Sequence, residues 1–265
     1  MGTPIPFWKV YKLTVSGFAL NYATPVGLMG GEPYRIMELT PYVGASKATS
    51  SVILYVMMHI FSHFCFWFFS YFLYLALRPV DIAMGTILAV VGAVSLLAIY
   101  FFMKGYKNGM AVRTLKLLQH IPFVKEWAKR FSENKREALE RVDSQIAELH
   151  KQRRSTFYAS LSLEFMARII GCLEVYFILN ILTTDVSFPA CILIMAFTSL
   201  FANLFFFSPM QLGAREGGFA LAVGGLAIPG AFGVYTGLIT RVRELIWIVI
   251  GVLLMKVGNG TPANK

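Results

Sequence analysis

The chain reads as an all-α, polytopic membrane protein, and three observations predict this. It is 57% hydrophobic and only 14% charged, whereas a soluble domain is about 45–50% apolar and about 25% charged. Several apolar runs approach or exceed the roughly 20 residues that a spanning helix needs. The alternating segments of about 10 residues that build a membrane β-barrel are not seen.

Taken in order, the first apolar segment is 13–31, interrupted by Asn21, Pro25 and four glycines. Segment 52–77 is rich in Phe and Tyr and reads as a spanning helix, as does 82–103. The short link Arg78-Pro79-Val80-Asp81 makes these two antiparallel neighbours. Residues 104–156 change character, with 13 Lys/Arg against 6 Asp/Glu. Within them Phe131, Ala138, Val142, Ile146 and Leu149 recur at helical spacing, which predicts an amphipathic helical linker outside the bilayer core. Segment 157–184 is apolar but carries Glu164, Arg168 and Glu174. Segments 188–207 and 219–238 follow, the second rich in glycine, and 243–257 closes the membrane part, with Arg241, Arg243 and Glu244 at its start. The tail 258–265 is expected to be disordered. About seven membrane segments result, in a single transmembrane domain over 1–265, with two broken or re-entrant around 13–31 and 209–238.

Charge sets the orientation. The formal net charge is +10, and basic residues collect in cytoplasmic loops. Residues 104–156 are therefore expected in the cytoplasm, and the turns at 78–81 and 183–187 outside a cytoplasmic membrane. No nucleic-acid partner is expected from this charge; anionic lipid headgroups are the alternative attraction. Residues 1–12 lack the apolar core of a secretory signal. Cys65, Cys172 and Cys191 all lie in apolar runs, with no metal-site or disulfide spacing.

Ionisable residues in hydrocarbon are costly, so each is weighed as a functional residue. Glu164 and Arg168, four apart, can pair along one helix, while Glu174 lacks such a neighbour. Two other blocks are sharper. Thr24-Pro25-Val26-Gly27-Leu28-Met29-Gly30-Gly31-Glu32 and the stretch from Ser208 to Glu216 align without a gap as [ST]-P-x-x-L-x-[GA]-x-E, 184 residues apart. Paired Gly/Pro-interrupted segments in two halves of a membrane chain mark a transporter with internal repeats. Freed backbone groups at such breaks face protein or a wet cavity, and half-helix ends present N–H groups to an anion. Arg35 and Arg215 add forked donors suited to phosphate. The plainer reading is that the prolines only kink helices and the charges sit at the interface.

At these residues the chain resembles the flippase-like integral membrane family that includes the membrane half of bacterial lysylphosphatidylglycerol synthase/flippase. The resemblance rests on Asn21, Pro25, Gly30, Gly31, Glu32 and Arg35 in the first block, and on Pro209, Gly213, Arg215 and Glu216 in the second, with Arg241 near the last helix. It spans roughly residues 13–257. The stretch Tyr55 to His63 departs from it, lacking charged residues the family often carries there, and only a dozen residues precede the first block. No aminoacyl-transfer domain follows Lys265, so the chain is not expected to make lysyl-lipid itself.

The resemblance implies a lipid translocase or an accessory protein of envelope lipid metabolism. The expected activity is movement of a phospholipid or lipid-linked anion across the membrane. Arg35 and Arg215 would hold the headgroup phosphate, and Glu32 and Glu216 would orient them or meet a cationic headgroup. Asn21, Pro25, Gly30, Gly31, Pro209 and Gly213 would shape the breaks, and Arg168, Glu164 and Glu174 would line the path. The expected partners are membrane lipids, with a second copy or a synthase as further candidates.

Enzyme readings are weaker. His59 and His63 share a helix face, yet membrane oxygenases need several such histidine boxes and the chain has four histidines. H-E-x-x-H, G-x-S-x-G and nucleotide-binding fingerprints are missing, so no cofactor or metal is expected. An intramembrane transferase using Glu32, Arg35, Arg215 and Glu216 is the alternative, beside a non-catalytic partner of a lipid synthase or glycosyltransferase.

Overall fold

The computed structural model describes residues 5–23, 30–108, 140, 144, 154–183, 185–205 and 211–256. Among them all regular structure is helical: α1 (Phe7–Ala23), α2 (Gly31–Val43), α3 (Ala45–Leu77), α4 (Ile82–Asn108), α5 (Arg154–Leu182), α6 (Phe188–Leu204), α7 (Ala214–Gly224) and α8 (Gly230–Lys256). Three stretches are long and apolar enough to cross a membrane: Ala45–Leu77, Met84–Lys104 and Ser155–Leu182. At 1.5 Å per residue, even the 21 residues of the second reach about 32 Å. Its flank is unpaired apolar surface, with Ile87, Val90, Val94 and Leu97 all more than half exposed. Water tolerates no such continuous patch on a monomer, whereas hydrocarbon covers it. The fold is a helical membrane bundle.

The described helices divide into two compact units. The first holds α1, α2, both ends of α3, α5 from Ala167 onward, and α6 to α8. Its apolar core is Val175, Leu179, Val186, Cys191, Ile194, Phe219 and Val223. The turn from α5 to α6 is closed by Asn180, whose amide donates to the carbonyls of Tyr176 (2.9 Å) and Val186 (3.0 Å) and accepts from the Val186 N–H at 3.2 Å. Glycine permits the closest helix crossings, as small residues do wherever membrane helices meet backbone to backbone. A Cβ built on Gly251 of α8 would stand 2.6 Å from both the Val15 carbonyl oxygen and the Ala19 methyl of α1. The Ser16 hydroxyl donates to the Gly251 carbonyl at 3.1 Å across the same crossing. One on Gly233 of α8 would stand 2.5 Å from the Phe219 carbonyl oxygen of α7.

The second unit holds the middle of α3, α4, and α5 up to Met166. Met58, Phe61, Phe102 and Phe157 form its core, with the Phe61 and Phe102 rings stacked 4.0 Å apart. Glu164 meets His59 here, Oε2 to Nδ1 at 3.3 Å, a partner on another helix that spacing along the chain does not suggest.

Several boundaries differ from those the sequence suggests: α3 begins at Ala45 rather than at 52, and the expected segment 219–238 is divided between α7 and α8. Residues 31–43 are a separate short helix in a stretch the sequence leaves unassigned. Arg241, Arg243 and Glu244 lie in the middle of the 27-residue α8 rather than at the start of a last segment. The charged triplet continues the helix because each of its members has a partner on another element. The expectations for Pro25 and Pro209, for most of 104–156 and for 258–265 lie outside the described residues.

Candidate functional site

The first block is built on α1 and the start of α2. The first N–H groups of a helix have no partner within it. Here Asn21 supplies one from α1: its Oδ1 accepts from the Gly31 N–H at 2.7 Å. The Asn21 amide also donates to Glu32 Oε1 at 3.1 Å. Arg35, one turn on, donates to the same Oε1 at 3.2 Å and to the carbonyls of Leu13 (3.5 Å) and Thr14 (3.3 Å). Its guanidinium lies in the α1–α2 crossing, where Gly17 leaves room for it, and the residue is 8% exposed. Gly31 is glycine because a Cβ there would overlap the Gly17 carbonyl oxygen. The second carboxylate oxygen of Glu32 is buried and accepts no hydrogen bond from the described residues.

The second block is built on α7 and α8. Gly213 has φ +78°, a left-handed conformation that glycine adopts without strain, and this turns the chain into α7. Glu216 then reaches back and accepts from the Gly213 N–H at 2.9 Å. Its other oxygen accepts from Arg241 of α8, through Nη2 at 2.9 Å and Nε at 3.3 Å. The helix-start donors at Gly31 and Gly213 are thus taken by side chains of the protein itself, which leaves attraction for an anion to the arginines.

Those arginines converge. Glu244, 3% exposed, accepts from Arg215 through Oε1 and from Arg241 through Oε2 at 3.2 Å. Arg243 Nη2 lies 3.8 Å from the same carboxylate. The Tyr22 hydroxyl donates to it at 3.5 Å. Arg243 also bonds Glu174 of α5. Three arginines face three carboxylates, so the cluster is close to neutral, which makes burial of its members tolerable.

The blocks are joined through α1. Adjacent residues of one turn serve both: Asn21 holds Gly31 and Glu32, while Tyr22 reaches Glu244 and, through it, Arg215. The link spans 222 residues of sequence. Gly30 directly precedes α2, and Arg168 lies on α5, where its backbone carbonyl accepts from the Cys172 thiol at 3.2 Å. Sequence reasoning left out Glu244 and Tyr22. The Arg-x-Arg-Glu run at 241–244 was the available signal, since a helix carrying it through an apolar stretch must find partners for it.

Among the described residues no group of three or more His, Cys, Asp or Glu side chains suited to a metal ion occurs. A family profile described as "Lysylphosphatidylglycerol synthase TM region" matches residues 1–251. Comparison with curated proteins and with solved structures returned no match.

Proposed function

The chain belongs to the family of the lysylphosphatidylglycerol synthase transmembrane region, a membrane protein of lipid metabolism or transport, and from that premise we propose that it translocates a phospholipid or lipid-linked anion across the cytoplasmic membrane. The observation that carries the reading is the convergence of Arg215, Arg241 and Arg243 on one buried carboxylate in an otherwise apolar bundle. An apolar protein gains nothing in stability from such a cluster over packed hydrophobic residues, so its presence argues for a ligand.

In this reading Arg215 contacts the headgroup phosphate, its forked N–H groups matching two phosphate oxygens. Arg35 takes a supporting part, because its donors are directed at the Leu13 and Thr14 carbonyls and at Glu32. Glu216 orients Arg241, and Asn21 orients Glu32. Glu174 and Arg168 border the path on α5. The basic segment 104–156 faces the cytoplasm by the positive-inside rule.

The two blocks also stand in a matching helix order: a 17-residue helix, an interval, a short helix of 13 or 11 residues, then a long helix. This supports reading them as an internal repeat whose breaks flank one site.

Reconstitution tests the proposal. Purified protein in liposomes carrying labelled anionic lipid in one leaflet should move it to the other, and Arg215→Ala should abolish the movement. Liposomes in which the label stays put overturn the reading; mass spectrometry of the same lipids, if it reveals a modified headgroup, replaces it with a transferase.

A further inference from the structure

We propose that Glu244 is a resident counter-anion, occupying on Arg215 the place that a phosphate-bearing ligand takes, so that binding is an exchange. This rests on the headgroup reading of the same site and deepens it. A guanidinium buried in an apolar bundle without an anion is expensive, so a pocket built only to attract phosphate would be unstable between ligands. Glu244 removes that cost. It is 3% exposed and takes donors from Arg215, Arg241 and Tyr22, with Arg243 at 3.8 Å.

The wiring separates Arg215 from the other two arginines. Arg241 has a second carboxylate in Glu216 at 2.9 Å, and Arg243 has one in Glu174. Arg215 bonds Glu244 and no other carboxylate among the described ion pairs. A phosphate arriving at Arg215 therefore displaces Glu244 without unmaking the rest of the frame. The released carboxylate keeps the Arg241 and Tyr22 donors, so it does not become an unpaired buried charge. Exchange also keeps binding from becoming too tight. A translocation site must release its cargo on the far side, and a site that binds strongly enough to enter but weakly enough to leave is the general requirement for passage.

The test is binding by the full chain in detergent, with dihexanoyl-phosphatidylglycerol, dihexanoyl-phosphatidylcholine and inorganic phosphate as probes. Glu244→Gln should bind the anionic lipid at least ten-fold more tightly than the wild type, because the competitor on Arg215 is neutralised while Arg241 and Arg243 keep Glu216 and Glu174. Glu244→Gln/Arg215→Gln should lose that gain. A gain for the anionic lipid but not for inorganic phosphate assigns the place to a headgroup; a gain for both assigns it to phosphate as such, and displacement stands in each case. Equal binding by wild type and Glu244→Gln, lost in Arg215→Gln, overturns the exchange while leaving the headgroup reading intact. Binding that Arg215→Gln does not change overturns both. Should Glu244→Gln not fold, Glu244→Asp draws the carboxylate back by one methylene and should tighten binding several-fold; wild-type affinity there refutes the exchange.

Discussion

Gly251→Ala puts one methyl into the α1–α8 crossing, the contact that ties the two blocks together. The new Cβ would meet the Val15 carbonyl oxygen and the Ala19 methyl at 2.6 Å, 0.8 Å short of the 3.4 Å of ordinary contact. Backbone on one side and a methyl anchored on its own helix on the other leave no flexible side chain to swing aside, so the helices must part. Forced overpacking of this kind costs about 1–3 kcal/mol. Parting also weakens the Ser16 hydroxyl bond to the Gly251 carbonyl, worth about 0.6 kcal/mol in a membrane bundle. Against this, alanine gains up to about 1 kcal/mol over glycine in a helix interior. The net expectation is a loss of about 1–3 kcal/mol. Gly171→Ala on α5 is the control: a Cβ there meets nothing within 4 Å, so only the helix-propensity gain operates and the change should stabilise. The assay is denaturant unfolding in mixed micelles followed by Trp fluorescence, with Trp247 one turn from Gly251 in α8. Because the Tyr22–Glu244 bond is already 3.5 Å long, Gly251→Ala should also reduce transport more than Gly171→Ala does. Equal stability of the two variants would refute the reasoning, since it would mean the crossing is not close-packed.

Other consequences follow from the same geometry. Arg35→Met strips Glu32 of its cation and removes donors from two α1 carbonyls; breaking a buried pair from one side costs about 3–5 kcal/mol, and adding Glu32→Gln should recover part of it in a double-mutant cycle. Asn180→Ala deletes three hydrogen bonds that close the α5–α6 turn, and taking the side-chain partner from the Val186 N–H and carbonyl costs about 1–3 kcal/mol, readable as earlier unfolding with hydrogen exchange rising at Val186. Arg243→Gln should weaken lipid movement less than Arg215→Gln in the liposome assay, because Arg243 is half exposed and paired with Glu174, whereas Arg215 is 16% exposed on Glu244.

How much was legible in the sequence follows the range of the physics involved. The membrane class and the long helices α3, α4, α5 and α6 could be read directly, because apolar run length is a local property that hydrocarbon thickness selects. The two polar blocks could also be read, because Pro, Gly and charge interrupt such runs conspicuously. Their partners could not. Spacing along the chain could not show that His59, 105 residues away, stands beside Glu164. Arg241 to Glu244 read as the edge of a segment, because a charge run within an apolar helix is affordable only when other helices bring opposite charges to it. Those charges come from Glu174 on α5 and from Arg215 and Glu216 on α7. By itself, then, the sequence determined that this is a helical membrane protein and which residues are out of place in hydrocarbon. Tertiary structure alone decided that Glu244 is the common partner of the arginines and that Asn21 and Tyr22 join both blocks. Ion pairing and helix crossing depend on distance in space, and that distance has no trace in the order of residues along the chain.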